Sequence, residues 1–402
     1  MTTRNVPFHL SLDTQHGDKH PSGSLAASIS HLTPPVTPTG DSDPPSRRLA
    51  TPRSHESLST ATDQAAVFSP LEFPEEVEFH HDGSGSRVEL GRGVWSIVYM
   101  ASSRAPSTVS SMTPPSSPAT ASRVLAVKSP VRRDAQAVIY AEAKILTRLS
   151  LTPGHKRYVV PFRGYISRSQ SIVMSALPLS LATYIEDKAG IARENMSTRT
   201  MFDPVQGLSA WHEMAERLIA GLSWLHNEAQ IVHGDLKPHN LLLRPRRGSS
   251  GSNSSSSNSD DFPYDPVFAD FSSAYDMSCA SPGATGTSIS AMTPPFTAPE
   301  LLSVASLTSP DSAPTPASDV FSLAVTLLAA ATGDLLVYPG SSNMQRLAMA
   351  REGHRVLDFA RSGANGTRIP RKGLVERIVQ PATVKEPSQR ITAAKWVDLS
   401  RQ

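Results

Sequence analysis

Proline is distributed unevenly along this 402-residue chain, which limits where a compact fold can form. Nine of its 34 prolines lie in residues 1–70, which are also rich in Ser and Thr and show no sustained apolar period. Residues 248–259 hold eight serines in twelve positions. Such segments bury too little apolar surface to offset the entropy lost on ordering. We therefore expect disorder over 1–76 and flexible inserts near 102–121 and 244–264.

Charge and cysteine content exclude several classes of protein. The 38 basic and 36 acidic residues give a net charge of +2, which provides no electrostatic basis for binding nucleic acid or an anionic membrane. Cys279 is the single cysteine, so no intrachain disulfide can form. The apolar run 323–332 is shorter than the roughly 20 residues that span a bilayer. We expect an intracellular protein, cytoplasmic or nuclear, with no nucleic-acid partner and no membrane span; its oligomeric state stays open.

The order of predicted elements indicates two lobes. Strand-like segments with one helix between them occupy the first part of the periodic region, and helices dominate after residue 178. This order predicts an α+β fold with a small β-rich lobe at about 77–176 and a larger, mainly helical lobe at about 177–396. The strands are expected within 88–101 (two, joined by a glycine turn), 123–128, 159–165 and 171–176, and the clearest helices at 134–149, 211–226 and 319–333.

The strongest chemical signal is the run from His233 to Asn240, HGDLKPHN. A carboxylate at Asp235 can accept the proton of an attacking hydroxyl, and the amide oxygen of Asn240 can help to hold Mg²⁺. Lys237 can neutralise charge on a moving phosphoryl group. Three such groups within six residues are typical of phosphoryl transfer.

Other segments supply parts that would act with this run. Asp270 follows a short apolar strand in Phe-Ala-Asp-Phe-Ser and could reach a metal. Gly91 and Gly93 form a turn whose N–H groups can approach phosphates closely. Lys128 ends an apolar strand and needs an anionic partner, for which Glu142 on the following helix is the obvious candidate.

Taken in order, these motifs resemble those of the eukaryotic protein kinase family, Ser/Thr type, over about Val77 to Trp396. The glycine loop, Lys128, the helix Glu, HGDLKPHN and DFS are followed by TPPFTAPE at 293–300, Asp319 and Arg390. The resemblance implies a two-lobed kinase fold that uses ATP and Mg²⁺ and phosphorylates proteins on Ser or Thr. The Ser/Thr class rests on Lys237 and on Thr293 within its Thr-Pro frame.

The resemblance also implies roles for individual residues. Asp235 would be the catalytic base beside Lys237 and Asn240, and Asn240 and Asp270 would be the metal ligands. Glu300 and Arg390 would form a buried ion pair, Asp319 would anchor the loop at 233–240, and Leu146, Phe271 and His233 would stack between the lobes. The residues implied to bind the nucleotide are Gly91, Arg92, Gly93, Val98, Ala126, Lys128, Glu142, Met174, Ser175, Leu177 and Leu242.

Two positions depart from the family pattern. Gly234 stands where the family usually has the Arg that pairs with a phosphorylated activation segment, so we expect activity without such a phosphate. If a phosphate were needed, Arg132 or Arg133 would be its alternative partner. Ser272 replaces a Gly; at a position of positive φ this would cost about 1 kcal/mol.

Two alternatives follow from these departures. His-Gly-Asp also occurs in small-molecule phosphotransferases similar to aminoglycoside and choline kinases, although the segment ending at Glu300 argues against that class. A catalytically weak pseudokinase scaffold is the other alternative, against which stand intact Lys128, Asp235, Asn240 and Asp270.

Overall fold

The structure, a computed structural model, describes residues 69–104, 124–177, 179–246, 261–278, 293–303, 305–306 and 313–402. Most of the segment predicted to be disordered and most of both predicted inserts lie outside these ranges. Within them, residues 102–104 continue a strand, and residues 69–76 lie against the amino-terminal lobe.

Six antiparallel strands form the sheet of the amino-terminal lobe. Strand order along the sheet is β1-β3-β4-β6-β5, and β2 also pairs with β3. The long strand β3 therefore holds both preceding strands at one edge. The strands are β1 (Glu76–Phe79), β2 (Glu89–Arg92), β3 (Ser96–Arg104), β4 (Val124–Pro130), β5 (Phe162–Ile166) and β6 (Ser171–Ser175).

Alternation along β4 decides which of its side chains face the cleft between the lobes. Leu125 and Val127 belong to an apolar cluster on one face of the sheet. Ala126 and Lys128, at intervening positions, point to the other face, as the two-residue period of a strand requires. The register pairs Lys128 with Val98 on β3, so both meet at the same wall of the cleft.

Helix α1 (Ala135–Leu151) packs beside this sheet. Its buried face has helical spacing and includes Ile139, Ala143 and Leu146. Glu142 lies in the same buried stripe, which brings a carboxylate to the inner side of the lobe.

The carboxy-terminal lobe is mainly helical. It also contains two small antiparallel sheets with strand orders β10-β9-β7 and β11-β8. The helices are α2 (His155–Tyr158), α3 (Leu181–Glu194), α4 (Leu208–Asn227), α5 (Pro316–Thr332), α6 (Asn343–Arg351), α7 (Val356–Ser362), α8 (Leu374–Val379) and α9 (Ala393–Ser400), and the strands are β7 (Leu179–Ser180), β8 (Ile231–Val232), β9 (Leu241–Pro245), β10 (Tyr264–Phe268) and β11 (Tyr275–Asp276).

Helix α5 is the central element of this lobe. A reciprocal capping box fixes its start: Ser318 N–H donates to Thr315 Oγ1 (3.2 Å), and Thr315 N–H donates to Ser318 Oγ (2.9 Å). Every residue from Ser318 to Thr332 is buried. Asp319 therefore sits, almost fully buried, in the first turn of a helix that packing holds on all sides.

The predicted two-lobed α+β architecture is confirmed. The predicted helices at 134–149, 211–226 and 319–333 correspond to α1, α4 and α5, with ends shifted by a few residues. No helix within the described ranges is long and apolar enough to cross a membrane.

Candidate active site

A three-member charge cluster lies at the back of the cleft. Lys128 Nζ donates to both oxygens of Glu142 (2.8 and 2.7 Å) and to Asp270 Oδ1 (2.7 Å). Glu142 Oε1 also accepts the N–H of Phe271 at 3.1 Å. The amino-terminal sheet, helix α1 and the segment after β10 thus each contribute one side chain to this cluster.

Electrostatics within the cluster keep Lys128 charged. Burial opposes its charge, but Asp270 and Glu142 outweigh burial and raise the pKa of the Lys128 ammonium above its usual range. Burial also opposes ionisation of Asp270, yet Lys128 more than compensates and lowers the pKa of that carboxyl. Burial together with neighbouring Asp270 raises the pKa of Glu142, although Lys128 pulls it down. The cluster therefore holds one cation between two carboxyl groups of opposite pKa shift.

The carboxylate of Asp319 anchors the backbone of the loop at 233–240. Its Oδ2 accepts the N–H of His233 (2.7 Å), and its Oδ1 accepts the N–H of Gly234 (2.9 Å). His226 Nε2 contacts the same carboxylate at 3.0 Å. Two consecutive N–H groups reach one carboxylate because the backbone turns at Gly234, whose φ is +82°.

Asp235 projects from this loop into a polar group of side chains. Asn240 Nδ2 donates to Asp235 Oδ2 (3.1 Å), and Lys237 Nζ lies 3.1 Å from the same oxygen. Thr293 Oγ1 accepts from Lys237 Nζ (2.8 Å) and donates to Asp235 Oδ1 (3.3 Å). Burial raises the pKa of Asp235 above its ordinary value, although Lys237 opposes this. The result is a buried carboxyl whose affinity for a proton is increased.

Asn240 and Asp270 form a donor set that fits a divalent metal. Asn240 Oδ1 is buried and has no hydrogen-bond partner in the described part of the chain, and both residues line the same cleft. One amide oxygen and one carboxylate suit Mg²⁺ when phosphates and water complete its ligands. Among the described residues, no group of three or more His, Cys, Asp or Glu side chains could hold a metal on its own. The site therefore fits a metal that arrives together with a phosphate ligand.

The cleft itself has about 610 Å³ of space, including its open mouth. Most of the residues expected to bind the nucleotide line it: Val98, Ala126, Lys128, Met174, Ser175, Leu177 and Leu242. Gly91, Gly93 and Arg92 are not among the lining residues, and the Arg92 guanidinium turns outward to Glu89. Glu142 reaches the cleft through Lys128 rather than lining it.

Sequence reasoning missed four lining residues, Leu90, Val160, His239 and Ala269. Leu90 precedes the glycine turn and packs with Val98 and Ala126, so its apolar position between Glu89 and Gly91 was a usable signal. Val160 reaches the cleft because its N–H donates to the carbonyl of Phe268 (2.9 Å), a long-range contact that no local pattern reveals.

The backbone around Asp270 differs from the sequence expectation. Ser272 is not among the residues of positive φ; Asp270 is, at +60°. The condition for a cost at Ser272 is therefore not met, and the positive φ lies two residues earlier at Asp270, whose short polar side chain tolerates the left-handed region. Phe271 is buried and packs against His233, with ring centroids 4.8 Å apart and the ring planes tilted by 43°.

A second buried ion pair lies in the carboxy-terminal lobe. Arg390 Nη1 and Nη2 donate to Glu300 Oε1 and Oε2, both at 2.7 Å. The Arg390 side chain is fully buried, whereas that of Glu300 keeps 27% exposure. This pair is the one that the sequence motifs implied.

Comparison with known proteins bears on the whole of this arrangement. Among curated proteins, no relative matches the chain. A family model described as the protein kinase domain matches residues 87–399, far more than half of the chain. That range contains both lobes, the Lys128 cluster and the loop at 233–240, and the chain therefore belongs to the protein kinase family, whose members are phosphotransferases.

Proposed function

We propose that this kinase transfers the γ-phosphate of Mg-ATP to Ser and Thr hydroxyls of proteins, with Asp235 as the catalytic base. One observation carries the proposal: the Lys128–Glu142 pair is formed in the same conformation in which Asp235, Lys237, Asn240 and Thr293 are linked. Both halves of the phosphoryl-transfer machinery are therefore assembled together.

In the proposed reaction the substrate hydroxyl oxygen attacks the γ-phosphorus and forms the new O–P bond. The bond from the γ-phosphorus to the bridging oxygen breaks, and its electron pair leaves with ADP. The hydroxyl proton passes to Asp235, whose raised pKa favours its acceptance. Lys237 neutralises charge on the transferred group, and Lys128 holds the α- and β-phosphates.

Asn240 and Asp270 would hold the Mg²⁺ ion, which when bound neutralises phosphate charge. Asn240 has a second task that needs no metal. Its Nδ2 donates to the backbone carbonyl of Asp235 (2.8 Å) as well as to the carboxylate, which fixes the orientation of the proposed base. Because Asn240 Nδ2 makes both bonds to Asp235, Asn240 Oδ1 points away from Asp235 and is available to a ligand.

The Ser/Thr class is supported by the contact between Lys237 and Thr293. Thr293 lies at the start of the segment that ends in Ala298-Pro299-Glu300, and its hydroxyl bridges Lys237 and Asp235. This contact ties the segment beside the reacting groups to the loop that carries the base.

Activity without a phosphate on the 270–300 segment is part of the proposal. A Cβ atom on Gly234 would lie 2.3 Å from the carbonyl oxygen of Ser273, so a side chain there would have to displace backbone. Residues 270–300 contain no Lys or Arg. Asp276 of this segment pairs with Arg148 of α1, so a carboxylate already supplies an ionic contact with the helix.

Arg132, which with Arg133 would be the alternative phosphate partner, has contacts of its own. Its Nε donates to Asp134 (2.7 and 2.8 Å), and its guanidinium lies 4.8 Å from the centre of the Trp95 ring. Recruiting it to a phosphate would cost both contacts. These contacts make Arg132 a less available partner for such a phosphate.

The test is phosphorylation of a mixed set of protein substrates by the purified chain with γ-labelled ATP, followed by identification of the labelled amino acid. We expect phosphoserine and phosphothreonine, loss of label with a metal chelator, and retention of most activity after phosphatase treatment. Phosphotyrosine would contradict the substrate class. Label on aminoglycosides or choline alone would favour a small-molecule phosphotransferase, and ATP binding without transfer would favour a pseudokinase.

A further inference from the structure

A short segment before the family domain lies along the edge of the amino-terminal sheet. We call residues 69–74 the N-terminal strap; they precede the family match, which begins at residue 87. Tyr165 N–H donates to the carbonyl of Leu71 (2.7 Å), and Phe73 N–H donates to the carbonyl of Tyr165 (2.9 Å). Glu72 and Tyr165 form a parallel bridge, so the strap extends the sheet beyond β5.

The strap also reaches helix α1. Leu71 N–H donates to Thr147 Oγ1 at 2.9 Å, and the same hydroxyl donates to the carbonyl of Ala143 at 2.7 Å. Thr147 is buried, with 6% exposure. One hydroxyl therefore links the helix backbone to a strand that is itself bonded to the sheet.

Gly164 on β5 makes this close approach possible. Its φ is +144°, and a Cβ atom there would lie 2.8 Å from the backbone nitrogen of Phe73. The Phe73 side chain packs against the apolar cluster on the outer face of the sheet, and Pro70 is buried. Three kinds of contact therefore hold the strap: backbone hydrogen bonds, a hydrogen bond to a side chain, and apolar packing.

Helix α1 is the element whose position decides whether Glu142 meets Lys128. Thr147 lies five residues after Glu142 on that helix. Backbone hydrogen bonds join successive turns, so the two residues move together as parts of one helix. A bond at Thr147 therefore bears on the Lys128–Glu142 pair, on which kinase chemistry depends.

We propose that the N-terminal strap is a positioning element: its bond to Thr147 holds α1 where Glu142 pairs with Lys128. Leu71 and Thr147 are positioning residues that act through Glu142. The proposal rests on the proposed kinase function for its effect on activity, and it requires that loss of the strap bond loosens α1.

The experiment compares two matched pairs of variants in the full chain. Thr147→Val removes the hydroxyl and Thr147→Ser keeps it; Leu71→Pro removes the N–H donor and Leu71→Ala keeps it. We expect Thr147→Val and Leu71→Pro each to lower kcat/KM for ATP about fivefold, the size of one hydrogen bond. Thr147→Ser and Leu71→Ala should stay close to the unmutated chain.

Hydrogen exchange provides the readout that does not depend on activity. In Thr147→Val and Leu71→Pro, amides of the α1 segment around Glu142 should exchange faster, together with those of the strap. Faster exchange of the strap with α1 unchanged, or unchanged ATP kinetics despite a released strap, would overturn the proposal. A chain that transfers no phosphate at all would contradict the proposed function, while the α1 exchange would still decide whether the strap positions the helix.

Discussion

Two buried ion-pair sites join distant parts of this kinase, and they differ in charge balance. At the cleft, Lys128 is shared by Glu142 and Asp270. In the carboxy-terminal lobe, Arg390 faces Glu300 alone, with two parallel bonds of 2.7 Å. Arg390 also donates to backbone carbonyls, including those of Val384 (2.8 Å) and Ala317 (3.0 Å), so further N–H groups of its planar guanidinium have acceptors.

The difference separates a site that performs chemistry from a pair that holds structure. Burial is the main cause of the raised pKa of Glu142, and repulsion from Asp270, the second carboxyl group on the same ammonium, adds to it. The cleft cluster therefore carries an excess of negative charge, which a metal cation bound at Asp270 would offset. The Glu300–Arg390 pair has one positive and one negative charge, so it leaves no excess charge for a ligand to neutralise. Its removal should therefore act mainly on stability.

Of the two ion-pair sites, the one at the cleft should give the larger loss of activity when its cation is removed by Lys128→Met. Removing a cation aimed at the phosphates is expected to lower kcat by about 10²-fold or more. Stability should fall less than in Arg390→Met, because Glu142 can take up a proton once its cation is gone. Phosphoryl-transfer kinetics check the predicted loss of activity, and denaturant unfolding of the same preparation checks the predicted change in stability. An active Lys128→Met, or one that is less stable than Arg390→Met, would break the comparison.

Arg390→Met should produce the largest loss of stability. It leaves Glu300 without its partner and two or more backbone carbonyls without a donor, so the free energy of unfolding should fall by about 3 kcal/mol. The 27% exposure of Glu300 places the loss at the lower end of the range for buried pairs.

Arg355→Met is a matched control, since Arg355 pairs with Glu352 at the surface, with side chains 54% and 56% exposed. Its loss should stay below about 1 kcal/mol. Equal losses for Arg390→Met and Arg355→Met would show that the buried pair contributes no more than a surface one.

Local sequence patterns predicted most of the fold because its elements carry clear periods. The need of a buried Lys for an anionic partner pointed to Glu142 on the next helix, and the two side chains are in contact at 2.7 and 2.8 Å. The run around Asp235 and Asn240 also predicted its own local contact, because the two residues are five apart in a tight loop.

What the sequence left out depends on contacts between distant segments. The N-terminal strap lies in proline-rich surroundings that predict disorder, yet Leu71 bonds to Thr147, 76 residues away. Positive φ occurs at Asp270 rather than at Ser272, in a turn whose Phe271 contacts His233 of the distant loop at 233–240. No pattern within one segment carries this information.

Asp235→Asn tests the central claim most directly, measured as single-turnover phosphoryl transfer alongside ATP affinity and unfolding free energy. Burial raises the pKa of Asp235, so stability falls as pH rises from the ordinary Asp pKa to the raised one, where the native state binds more protons than the unfolded chain. The Asn variant should therefore be no less stable at neutral pH. We predict a transfer rate lower by about 10²–10⁴-fold with ATP affinity nearly unchanged. A variant that transfers phosphate at the original rate, or one that loses ATP binding in parallel, would contradict the role of Asp235 as the base.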